Sequence, residues 1–238
     1  MVRNTFWTRR RLTGIILMVS CLLYVGAGAL LPKDTQGNYV LNLPVRDQLL
    51  AIAIHPQLWR WDIDFYISGV VMMLLGLAML TMLFWGAGDR IFSPLALIAF
   101  LFGSVLMVIF LAFPLGVDPV AAQETARTGV VPNYYLPLQE WTQVLFVIYS
   151  VLAFSALAAY GGAVLSTRVL PHWVGWLAIV YGLAGLGLVG VTGDADPFLH
   201  LVLPLVIGIL LLLRRYQGPT GSQREEGSTV ASKPSVQI

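Results

Sequence analysis

The chain has 238 residues, 58% of them hydrophobic and only 11% charged, far from the roughly 25% charged of soluble domains. Its formal net charge is +2 and its Lys and Arg residues are dispersed, which argues against a nucleic-acid surface of clustered basic side chains. The single cysteine, Cys21, excludes disulfides and multi-cysteine metal sites within one chain.

Six apolar segments are long enough to cross a hydrocarbon core of about 30 Å, which takes roughly 20 helical residues. They lie near residues 12–31, 65–86, 94–116, 138–165, 170–191 and 197–213. They are too long and too unalternating for barrel strands, and lipid offers no hydrogen-bond partner to an open backbone, so each is expected to be a helix. The predicted fold is an all-α integral membrane bundle of six transmembrane helices over residues 12–214. It follows a basic N terminus, residues 1–11, and precedes a Ser-, Gly-, Thr- and Pro-rich tail, residues 215–238, expected to be disordered.

Lys and Arg bias sets the orientation. With the N terminus cytoplasmic, ten basic residues (Arg3, Arg9, Arg10, Arg11, Arg90, Arg168, Arg214, Arg215, Arg224 and Lys233) lie inside, and four (Lys33, Arg46, Arg60 and Arg127) lie outside. Both termini are therefore expected in the cytoplasm, with a basic inner face suited to anionic headgroups.

The start, MVRNTFWTRRR followed by an apolar run ending in Ala27-Gly28-Ala29, imitates a cleavable signal. The run from Leu12 to Leu31 is longer than a usual signal core, so an uncleaved first helix is the expectation. The long outer connection that follows contains VRDQLLAIAIHPQLWRW, with Val45, Leu49 and Ile52 on one helical face and Arg46, Asp47 and Gln48 opposite. This predicts a short amphipathic surface helix, begun by Pro44 and ended by Pro56, with Trp59 and Trp61 at headgroup depth. The second outer connection, GVDPVAAQETARTGVVPNYYLP, is mixed and Pro-bounded and reads as a loop with at most a helical turn.

No Asp, Glu, Lys or Arg falls in the middle of a predicted crossing, which argues against proton-coupled transport by a midplane carboxylate. Hydroxyls at depth, including Ser68, Ser104, Ser150, Ser155, Tyr149 and Tyr181, are expected mostly to bond to the backbone of their own helix. Small residues recur at helical spacing, Ala158 and Gly162 in the fourth segment and Gly175, Ala178, Gly182 and Gly185 in the fifth. Such faces let backbones approach closely. They predict packing of these two helices and offer a surface for a second copy or a membrane partner.

The polar residues worth weighing gather at the outer helix ends: His55, Asp62, Asp64, Glu140, Asp194, Asp196 and His200. His with carboxylates can ligate a divalent metal, hold a proton donor or bind a cationic headgroup. Outer ends are also where solvated acids belong. In GDADPFLH, Asp196 before Pro197 reads first as an N-cap, with His200 one turn on. His55 and His200 are the two candidate metal ligands on that face. With three histidines in the chain and His172 at the inner end, no metal or other cofactor is predicted and no catalytic residue is assigned.

Two enzyme designs are tested by these residues. Rhomboid-type proteases need Gly-x-Ser-Gly, which neither Ser68-Gly69 nor the surroundings of Ser104 supply. Ceramidase-like hydrolases typically carry paired histidines one turn apart, which are lacking here. Pro56-Gln57-Leu58-Trp59-Arg60 and the stretch from Ser166 to Gly175 do resemble motifs of bacterial six-helix membrane proteins grouped as a domain of unknown function. The resemblance spans residues 11 to about 213. In it, His172 stands where the family usually has Arg, and one extra residue precedes Leu170-Pro171. It implies the six-helix bundle and a bacterial inner-membrane location, and it implies no activity. The expectation is a multi-pass membrane protein with a binding, accessory or structural role in the lipid bilayer; the rival readings are a metal-assisted lipid hydrolase and a small-solute carrier.

Overall fold

The computed structural model describes residues 2–34, 36–167, 169–193 and 198–213. It contains α1 (Val2–Leu30), a single 3-10 turn (Val40–Asn42), α2 (Val45–Ile54), α3 (Pro56–Gly86), α4 (Phe92–Thr128), α5 (Tyr135–Ser166), α6 (His172–Thr192) and α7 (Leu199–Leu213). Among the described residues the β pairing is one isolated bridge, Lys33 to Tyr39. The chain is thus all-helical. Five helices, α1 and α3 to α6, are long and apolar enough to cross a membrane, while α7 is a shorter apolar helix of 15 residues. Large apolar side chains such as Met82, Phe102 and Val180 face outward, as they do where the solvent is lipid. These features are consistent with a multi-pass membrane protein.

Two boundaries differ from expectation. The second apolar helix starts at Pro56, nine residues before position 65, because the backbone at His55 (φ −123°, ψ 53°) breaks α2 and Pro56 enters α3 in its first turn. More consequential, α4 does not end near residue 116: it runs to Thr128, so most of the expected second outer loop is helix. Pro114 and Pro119 lie inside it, tolerated where neighbouring helices and local adjustments satisfy the freed carbonyls. Ala, Gln, Glu and Arg in AAQETAR favour helix, Ala121, Ala122 and Thr125 are buried, and Gly129 in the left-handed region (φ 75°) supplies the stop. Residues 215–238, expected to be a disordered tail, lie outside the described residues, and the basic Arg9, Arg10 and Arg11 of the expected N-terminal segment belong to α1.

Short connections at 87–91 and 167–171 make α3 and α4, and α5 and α6, antiparallel neighbours. In the packing order, α1 lies against both α3 and α7, α4 joins α3 to α5, and α6 lies on α5. The α5–α6 contact requires small residues. A Cβ on Gly182 would lie 2.7 Å from the Phe154 carbonyl oxygen, and one on Gly161 would lie 2.6 Å from that of Gly175. Gly175 and Gly185 also face α5, against Leu165 and Phe154, whereas Gly162 faces Phe92 of α4. Ala178 is buried in the same core.

Hydroxyls add ties between helices as well as within them. Ser68 and Ser104 donate to carbonyls four residues back, at 2.8 Å each. Tyr160 of α5, by contrast, donates to the Leu77 carbonyl of α3 at 3.1 Å and meets Thr81 Oγ1 at 2.9 Å. Tyr181 of α6 donates to the Leu199 carbonyl of α7.

The α3–α4 turn carries its own cap. Asp89 is buried and accepts the N–H groups of Phe92 and Ser93 at 3.1 and 2.7 Å, satisfying donors that a helix start leaves open. Burial alone would raise its carboxyl, but hydrogen bonds from Ser93, Phe92 and Ile91 outweigh it and hold the group below the usual carboxylate range.

Candidate functional site

A cavity of about 580 Å³ occupies the end of the bundle that carries α2. The C-terminal end of α1, the first turns of α3, the second half of α4 and the start of α5 form its walls, and the 3-10 turn and α2 contribute Val40, Gln48 and Ile52. Its volume falls within the roughly 300–1,000 Å³ of small-molecule sites. Leu49 and Ile52, expected on the apolar face of α2, are buried, while Arg46 and Asp47 are exposed. α2 packs on α4.

Three helices bring the polar groups in. On α3, Trp59 and Asp62 are three residues apart and so share a face. Trp59 is buried, not at the surface as expected, because its Nε1–H donates to the Pro114 carbonyl of α4 at 2.8 Å. Trp61 remains 55% exposed. Asp62, one turn further in, is 4% exposed, and its Oδ1 has no hydrogen-bond partner among the described residues. On α4, Asp118 lies four residues after Pro114 and is 5% exposed. Its Oδ1 accepts the Tyr135 hydroxyl of α5 at 3.1 Å, and the Tyr135 ring packs on Phe113 with centroids 5.5 Å apart. Gln139, Thr142 and Gln143 of α5 complete the polar side of the wall.

The electrostatics are one-signed. Two carboxylates line the cavity, and no Lys, Arg or His is among the described residues around it. Two basic residues at this end are engaged elsewhere: Lys33 lies 4.5 Å from the Tyr39 ring centroid, and Arg60 pairs with Asp64 on the exterior at 3.9 Å. A buried carboxylate without a compensating partner is costly. The loop above is held separately by Asp34, whose carboxylate accepts the Asn38 side chain at 2.9 Å and the backbone N–H groups of Gln36 and Asn38. These bonds, chiefly that from Asn38, keep it below the usual carboxylate range.

Of the five described residues among the seven weighed from sequence, Asp62 alone lines this cavity. His55, at the α2–α3 break, and Glu140 are exposed, and Asp64 is partly exposed. Asp194 and Asp196, with the expected cap of the last helix, lie outside the described residues. His200 is 4% exposed, with ring centroids 4.5 Å from Phe154 and 5.1 Å from Tyr149, so it sits among aromatic side chains of α5. Among the described residues no three His, Cys, Asp or Glu side chains gather as a metal-binding group. The sequence reading missed Asp118, Tyr135 and the glutamines. The available signal was Pro114-x-x-x-Asp118, which places the acid one turn beyond a proline, on the same face, if the helix continues. Comparison with family models, curated proteins and solved structures finds no match to the chain.

Proposed function

We propose that the protein is an integral membrane protein of six crossings, with both termini cytoplasmic, that binds an amphipathic small molecule in the cavity at its outer end. The sixth crossing rests on how α7 tracks α1. Arg10 donates to the Leu210 carbonyl at 3.3 Å, Cys21 Sγ contacts the Leu201 carbonyl at 3.7 Å, and a Cβ on Gly28 would meet the Phe198 ring. The two helices are therefore antiparallel along about 27 Å of α1 at 1.5 Å per residue, close to a hydrocarbon core. Exposed tryptophan and tyrosine residues also fall in two groups. Trp61, Tyr134 and Trp141 lie near the α2 end, and Trp85, Trp173 and Trp176 lie near the other, as the two interfacial belts of a spanning protein would. The orientation itself rests on the ten-to-four distribution of basic residues.

The observation that carries the binding role is the cavity itself, walled by aromatic and aliphatic side chains with a few convergent polar groups. Buried acids in a membrane domain are expensive to keep and mark functional positions by default. In nanodiscs, at least one of tritiated dodecylamine, dodecanol and dodecanoate should bind saturably at one per protein above empty discs. Met107→Trp, which fills the cavity, should abolish that binding. Non-saturable uptake by all three, equal with and without protein, overturns the reading. Terminal reporter fusions should place both ends in the cytoplasm, and an external C terminus would overturn the orientation.

A further inference from the structure

The cavity combines a buried carboxylate oxygen with no partner, a second carboxylate on the neighbouring helix, and no basic side chain among the described lining residues. We propose that its ligand is a lipophilic amine, bound with its ammonium group on Asp62 and its apolar part among the aromatic side chains. This rests on the binding role proposed above and names the ligand class.

Each part of the wall selects for that chemistry. Asp62 Oδ1 lacks a donor, and an ammonium group is donor-only, so it satisfies the carboxylate without adding an acceptor that would itself need a partner. Asp118 gives one oxygen to Tyr135 and adds a second acid to the wall, which favours a cation over an anion. Tyr66 and Phe110 add ring faces to the wall, and rings of this kind favour a cation over a neutral head. The same two acids disfavour a phosphate. A free single-chain amine therefore fits better than the ammonium of a zwitterionic phospholipid, although both present the same head.

Competition binding in nanodiscs at neutral pH decides it, with tritiated dodecylamine displaced by dodecanol, dodecanoate and lysophosphatidylethanolamine. An ion pair with Asp62, which the alcohol cannot form, predicts that the amine binds about 10- to 100-fold tighter than the alcohol. Asp62→Asn should remove the amine's advantage over the alcohol, while Asp118→Asn should reduce that advantage less. The wild-type order of affinities stands as a test even if a variant fails to fold. Equal affinity for amine and alcohol overturns the ligand class while leaving the binding cavity intact, as does preference for the carboxylate or the lysophospholipid. Loss of all saturable binding overturns both.

Discussion

Replacing Gly182 by alanine puts a methyl group where α6 touches α5. The added carbon would lie 2.7 Å from the Phe154 carbonyl oxygen and 2.8 Å from both the amide nitrogen and the Cβ of Ala158. Two of those three atoms are backbone and cannot rotate away, so the helices must separate locally. Overpacking of this kind costs about 1–3 kcal/mol, against a gain of about 1 kcal/mol from alanine's better helix propensity. The same change at Gly187, five residues along α6 and with nothing within 4 Å, brings the gain without the clash. Gly182→Ala should therefore be less stable than Gly187→Ala by about 1–3 kcal/mol, the overpacking cost that does not cancel between them. Equilibrium unfolding in mixed micelles by titrated SDS measures both on one helix. Equal stabilities would refute the inferred backbone contact, and with it the reading of the small-residue stripe as an intramolecular face.

Asp89→Ala removes the acceptor for the first N–H groups of α4 and should cost about 1–2 kcal/mol of stability. Because the folded-state carboxyl is held below its ordinary value, its contribution is present above the unfolded pKa and lost as pH falls through the folded one. Unfolding titrations at neutral and acid pH should then show a smaller acid-induced loss in Asp89→Asn than in the wild type. Tyr135→Phe removes the donor to Asp118 and should cost about 1–3 kcal/mol, read by the same titration. Thr81→Val and Tyr160→Phe share one hydrogen-bonded group, so a double-mutant cycle should give a coupling of at least about 0.5 kcal/mol; strict additivity would contradict the geometry.

The helical bundle was legible because its determinants are local. Apolar runs of crossing length and the glycine spacing of α6 each act within a few residues. Helix ends were less legible: the Pro-bounded connection from residue 116 read as a loop, yet α4 continues through Pro119 to Thr128, where packing outweighs a missing N–H. That boundary error hid the site. While GVDPV was read as loop, Asp118 counted as a solvated acid and Tyr135 as part of a linker. Asp62 was recognised as a polar residue at the right end, but its burial depends on Trp59 reaching Pro114 across sequence. The burial of His200 was illegible for a similar reason, since the rings of Tyr149 and Phe154 that pack against it are distant in sequence.

A charged ligand head in the cavity beside Asp62 can be located directly. Crystals of the lipid-embedded protein grown with 12-bromododecylamine would locate both ends of such a ligand, the bromine by its anomalous signal and the nitrogen by density. The nitrogen should lie about 3 Å from an Asp62 carboxylate oxygen and the bromine among the aromatic side chains of the same cavity. Bromine found only along the lipid-facing exterior, with the cavity empty, would contradict it.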